Sequence, residues 1–162
     1  MTRLFGTDGV RGVANRELTC ELAYRLGQAA AVFMGDNIII GKDTRRSSYT
    51  LEYAIASGIT ASGADAYMLH VTTTPSVSYV TVKDDFDCGI MITASHNPFY
   101  DNGIKIINKY GEKLDDDTTS LIESYLDGDL NALGISGKDL PLATQDKLGL
   151  IVDYASGRNR YV

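Results

Sequence analysis

Asn37-Ile38-Ile39-Ile40-Gly41-Lys42-Asp43-Thr44-Arg45 is the stretch that decides the fold. Asn37 to Gly41 is short, apolar and β-branched, which predicts a buried strand. The polar segment from Gly41 to Arg45 leads into a run whose periodicity predicts a helix from about Ser48 to Ser62, closed by Gly63. Strand, polar loop and helix together form the unit from which parallel sheets are built.

The same unit recurs on both sides. Upstream, Thr19 is placed to cap a helix whose apolar positions Leu22, Leu26, Ala29, Ala30 and Phe33 recur at helical spacing, with Gly35 at its end. Downstream, Asp65-Ala66-Tyr67-Met68-Leu69-His70 reads as a strand. A threonine-rich loop and a short helix follow, with Thr74 as cap and Pro75 at the first helical position. Asp87-Cys88-Gly89-Ile90-Met91-Ile92 is a further buried strand, and Gly103-Ile104-Lys105-Ile106-Ile107-Asn108 another, which Gly111 turns back toward Lys113-Leu114. That last return suits an antiparallel neighbour. A fourth helix is predicted between Asp115 and Leu126, with three aspartates at its positive end. The fold class is α/β, a mixed, mostly parallel sheet with helices on both faces.

Beyond Asp127 a Gly-, Asp- and Asn-rich stretch reads as loop, and periodicity returns only at Leu148-Gly149-Leu150-Ile151-Val152. We place a boundary there, residues 1–147 forming one domain and 148–162 a linker and the start of a second. A chain of 162 residues, 44% hydrophobic, is about one domain long and has enough apolar content for a core. Its net charge of -6 and the lack of a dense Lys/Arg cluster argue against a nucleic-acid partner. No run approaches a membrane span, and the first residues lack the apolar core of a secretion signal, so no membrane partner and a cytoplasmic setting are expected. Cys20 and Cys88 form no metal or redox pattern and read as buried free thiols.

The chemistry concentrates in Thr93-Ala94-Ser95-His96-Asn97-Pro98, followed by Asp101-Asn102-Gly103-Ile104-Lys105. A hydroxyl nucleophile, Ser95, begins a loop at the end of a buried strand. The same residues also make good turn chemistry, because Asn before Pro leaves the helical region and Ser and Asn bond nearby backbone. A protease-type Ser95–His96 dyad does not fit. Adjacent residues of an extended segment point in opposite directions, and no orienting acid is evident. Near the start, Gly9 and Gly12 flank Arg11 and allow backbone approach, while an arginine fork matches phosphate oxygens in two places. Arg45, with Asp43, lies in a loop after a strand end, where α/β folds open a cleft, and it also reads as an exposed cap region. His70 reads as a strand-end histidine, not a metal ligand.

These three segments, Phe5-Gly6-Thr7-Asp8-Gly9-Val10-Arg11-Gly12, Gly41 to Arg45 and Thr93 to Lys105, resemble in order and separation the N-terminal domain of the α-D-phosphohexomutases. The resemblance covers nearly the whole chain and corresponds to the first of that family's four domains. It implies an intramolecular phosphotransferase that moves a phosphoryl group between two hydroxyls of one phosphosugar, through a phosphoserine and a bisphosphate. The branch most resembled acts on glucosamine phosphates, and the mannose and glucose branches are alternatives. A phosphate-binding or dimerising domain without catalysis is a second class, and association into a homodimer is left open.

The resemblance also implies roles. Ser95 would carry the phosphoryl group, Arg11 and Mg2+ would balance its charge, and His96 and Asn97 would hold the phosphate. Lys105 matches the family's candidate general acid/base, with simple phosphate pairing as its other reading, and His96 is a second proton handler because imidazole exchanges protons near neutrality. Asn97, Asn102 and Arg45 fall among the phosphate- and substrate-binding positions. Of the metal's ligands only the phosphate on Ser95 belongs here. Asp127-Gly128-Asp129 opens like the family's Asp-Gly-Asp-x-Asp-Arg metal loop, but Leu130-Asn131 ends the likeness. The chain is therefore expected to be inactive without further domains.

Overall fold

The computed structural model describes residues 9–131, 134 and 139–157; Phe5 to Asp8 of the first motif, and the chain from Arg158 onward, lie outside them. The described elements run β1 (Val10–Val13), α1 (Cys20–Met34), β2 (Asn37–Lys42), α2 (Arg46–Ala61), β3 (Asp65–Val71), α3 (Thr74–Lys83), β4 (Cys88–Ile92), β5 (Asp101–Asn108), α4 (Asp116–Leu126) and β6 (Ile151–Asp153). Among the described residues the strands form one six-stranded sheet in the order β1-β5-β4-β2-β3-β6. β2 is parallel to β3 and β4, and β6 is parallel to β3, whereas β5 is antiparallel to β1 and β4. The mixed, mostly parallel sheet is as expected, and the antiparallel turn comes where Gly111 was read to reverse the chain, bridging Ile107 to Lys113.

Central strands β2 and β4 are buried almost throughout, which is why they read as unbroken apolar runs. One face of the sheet packs Ile38, Ile40, Ile90, Ile104 and Ile106 against Leu26, Leu51, Ile55, Ile122 and Tyr125 of α1, α2 and α4. The other packs Ile39, Leu69 and Met91 against Val77 and Val80 of α3, with Phe86. Tyr67, Phe86 and Tyr154 meet edge-on on that second face.

Local signals set most element ends. The Thr19 hydroxyl accepts from the Leu22 N–H at 3.1 Å, and Asp115 accepts from the Thr118 N–H at 2.7 Å. The cap of α3 is Thr73, one residue earlier than expected: Thr73 is extended and its hydroxyl accepts from Ser76, leaving Thr74 inside the helix and Pro75 in its first turn. α2 begins at Arg46, ahead of the Ser48 expected, because the Ser48 hydroxyl caps nothing and instead donates to Asp43 at 2.7 Å. Cys88 is buried as expected and its thiol is pushed up by burial, but Cys20 is exposed, on the outward side of the first turn of α1. Ile151–Asp153 add to the sheet beside β3, with Ala66 opposite Ile151.

Candidate active site

β4 delivers its C-terminal end to an eight-residue excursion that returns as β5. Thr93 closes the exit: its N–H donates to Gly103 O at 2.9 Å, and its hydroxyl accepts from the Ser95 N–H at 3.0 Å. Ser95 has φ 55, the left-handed region that a residue with a Cβ enters at a cost of about 1–2 kcal/mol. A non-glycine residue held there at an exposed loop is a common mark of a functional site. The turn continues with Asn97 N–H to Ala94 O and Asp101 N–H to Pro98 O, each 3.0 Å. Ser95 to Tyr100 are all exposed.

The loop after β2 reaches across to this turn. Arg45 Nη2 donates to Ser95 O at 2.8 Å, and Nη1 donates to Asn97 O, Pro98 O and Asp101 O at 3.1, 2.8 and 3.3 Å. Its Nε donates to Asp43 Oδ2 at 2.9 Å, and the side chain is only 12% exposed. Asp43 also accepts from the Arg45 N–H at 3.0 Å and from the Ser48 hydroxyl. Burial pushes the Asp43 carboxyl up, but hydrogen bonds from Ser48, Arg45 and Thr93 outweigh it and hold it below the usual carboxylate range.

The expected site residues divide by position. Ser95, Asn97 and Arg45 line one open cleft of about 1050 Å³ together with Asp43, Ser47, Thr93, Phe99 and Tyr100. Arg11, on β1, reaches the same loop, its Nη1 donating to Asn97 Oδ1 at 3.4 Å, and Asn97 Nδ2 donates to Asp101 at 3.4 Å. Gly103 opposite Arg11 leaves room for this, since a Cβ there would stand 3.0 Å from Arg11 Cγ and 2.7 Å from Thr93 O. His96 is exposed beside Ser95 and Lys105 is half-buried on β5, opposite Met91; neither lines the cleft. Asn102 is fully buried behind it, donating to the Ser47 and Ser48 hydroxyls at 2.8 and 3.0 Å, so it ties β5 to the start of α2. His70, the next-to-last residue of β3, stands at φ 67 with Nε2 3.1 Å from Asp153 Oδ1.

Thr93, Ser47 and Ser48 were not singled out from the sequence. A hydroxyl two residues before Ser95, able to take its N–H, was the available signal for Thr93; nothing local marks the other two. Among the described residues no three His, Cys, Asp or Glu side chains gather to hold a metal ion. Asp127 ends α4 and Asp129 accepts from the Asn131 N–H, so the Asp127-Gly128-Asp129 run is turn structure, and the residues present do not by themselves fit Mg2+. No helix among the described residues is long and apolar enough to cross a membrane.

An open cleft lined by a strained serine, at the strand ends of a mixed α/β sheet, defines a phosphohexomutase-type domain, and the chain belongs to that family. Residues 2–132 match the family described as phosphoglucomutase/phosphomannomutase, alpha/beta/alpha domain I. Among curated proteins the chain is similar to phosphoglucosamine mutases. It is 56% identical over 169 aligned positions to that of Lachnospira eligens and 52% over 166 to that of Lachnoclostridium phytofermentans. Each alignment covers 100% of this chain and 36% of the relative, so the chain spans about a third of the length of the curated relatives it matches. A phosphoglucomutase/phosphomannomutase family protein of Burkholderia thailandensis superposes on 98% of this chain and 34% of its own, with TM-score 0.74 and 23% identity, a likeness of fold. A putative phosphomannomutase of Thermus thermophilus covers 74% of this chain and 29% of its own, with TM-score 0.67 and 29% identity.

Proposed function

We propose that this chain is the phosphoryl-carrying domain of a phosphoglucosamine mutase, which interconverts glucosamine 6-phosphate and glucosamine 1-phosphate in the cytoplasm. The sugar hydroxyl oxygen attacks the phosphorus of phospho-Ser95, the bond to Ser95 Oγ breaks, and a 1,6-bisphosphate forms. The sugar hydroxyl gives up its proton to a neighbouring base, Lys105 or His96. The second phosphoryl group then returns to Ser95 Oγ. Catalysis of this kind rests on positioning and on stabilising charge spread over the phosphoryl oxygens.

The observation that carries the reading is Ser95 itself, exposed at the mouth of the cleft with φ 55 and its N–H held by Thr93. A phosphoserine there brings about -1.5 to -2 charges, and Arg11 and Asn97, already joined to each other at the serine loop, are donors of the kind it needs. Magnesium is part of the same reading, with the Ser95 phosphate as its ligand in this chain. The division near residue 147, with domain I before it and the start of a second domain after it, belongs to the same proposal, as does inactivity of the chain alone.

The test is the intact mass of the full-length enzyme and of its Ser95→Ala variant. A phosphate-sized addition on the first and not on the second is expected, together with loss of turnover on glucosamine phosphates. Wild-type turnover by Ser95→Ala would remove the carrier role, and faster turnover of mannose or glucose phosphates in a substrate panel would reassign the sugar.

A further inference from the structure

Arg45 stands among the residues expected to bind phosphate, yet its surroundings describe another task. Its charge is matched at 2.9 Å by Asp43, a carboxylate that hydrogen bonds hold in its ionised form. The pair therefore presents little net positive charge to an anion. Its Nη donors are aimed at four neutral carbonyls of the serine loop, those of Ser95, Asn97, Pro98 and Asp101. Hydrogen bonds from a charged donor are stronger than neutral ones, so one guanidinium stabilises a turn whose own backbone bonds are few. Ser95 would otherwise relax from φ 55 toward the right-handed or extended regions that cost it less.

We infer that Arg45 is a positioning residue: it clamps the backbone of the serine loop from within and holds Ser95 in the left-handed conformation that presents its Oγ to the cleft. The inference rests on the proposed role of Ser95 as phosphoryl carrier. Asp43 is the counterpart that aligns the guanidinium plane, through Nε and through the Arg45 N–H. The clamp needs the planar fork, because one ammonium cannot direct hydrogen bonds at carbonyls spread over seven residues.

Charge and geometry are separated by comparing Arg45→Lys with Arg45→Met in the full-length enzyme, beside Ser95→Ala. The clamp predicts that Lys, despite keeping the charge, loses as much kcat as Met, on the order of 100-fold for a misplaced reacting group, with KM little changed. Hydrogen exchange at the Asn97 and Asp101 amides should quicken in both variants, while far-UV circular dichroism stays that of the parent. Guanidinium added to Arg45→Met should restore part of the rate. Retention of most activity by Arg45→Lys, or a rise in KM at unchanged kcat, would overturn the clamp and return Arg45 to phosphate binding. Wild-type activity in Ser95→Ala would instead overturn the carrier reading on which it stands.

Discussion

Lys42 Nζ lies 2.7 Å from Glu52 Oε2, and both side chains are sealed from solvent, at 3% and 2% exposure. The ammonium also sits 4.6 Å over the Tyr49 ring, so the cation is held by a carboxylate and an aromatic face together. Lys42 is the last residue of β2 and Asp43 follows it directly, so the buried pair fixes the strand end from which the Arg45 loop starts.

Breaking that pair from one side leaves a buried charge. Glu52→Gln is expected to lower stability by about 3–5 kcal/mol, whereas a double replacement, Lys42→Met with Glu52→Leu, is expected to be far milder. Urea unfolding of the three variants measures this, and equal losses in the single and double variants would contradict it.

Helices α1 and α2 touch backbone to backbone. A Cβ on Gly58 would stand 2.0 Å from Tyr24 O, and one on Gly27 2.3 Å from Ile55 O. Helix propensity alone would make Gly58→Ala stabilising by about 1 kcal/mol, but the helices would have to part, at about 1–3 kcal/mol or more. The clash wins, so the expected result is a lowered melting temperature; a raised one would show that the helices separate freely.

Tyr125 and Gln28 form a buried polar pair between α4 and α1, the phenol donating to Gln28 Oε1, while Arg25 donates to Tyr125 O at 2.8 Å. Tyr125→Phe keeps the shape and orphans the Gln28 oxygen. A loss of about 1–3 kcal/mol is expected, read from denaturant midpoints, and an unchanged midpoint would mean that water replaces the phenol.

Ser95 can be tested for strain without its hydroxyl. Alanine and glycine both remove the nucleophile, but only glycine adopts φ 55 at no steric cost. Ser95→Gly is expected to be more stable than Ser95→Ala by about 1 kcal/mol. The opposite order would show that the left-handed turn is not kept.

Asp43 gives stability a pH dependence of defined sign. Its folded-state pKa is held below the unfolded value, so its contribution is present above the usual carboxylate range, about 3.9, and is lost as pH falls through the lower folded value. The stability gap between the parent and Asp43→Asn should therefore be widest near neutral pH and close in acid. A gap that stays constant on acidification would mean that the charge on Asp43 contributes nothing.

Much of this molecule is determined within a few residues of sequence. The isoleucine run of β2, the Thr19 and Asp115 caps and the Gly35 stop act over a single turn or strand, so periodicity and capping chemistry set the order of elements. The serine loop was legible for the same reason, since an apolar run followed by Thr93 to Pro98 places a hydroxyl at a strand end. What Arg45 does was decided only by tertiary structure. It lies 50 residues from Ser95, and its carbonyl partners appear only because the parallel pairing of β2 and β4 sets their two exit loops side by side. Nothing local pairs Lys42 with Glu52 until α2 folds over β2, and Asn102, expected among the phosphate- and substrate-binding positions, is buried in β5. Long polar side chains take their roles from whichever backbone the packing brings near, and no local pattern encodes that.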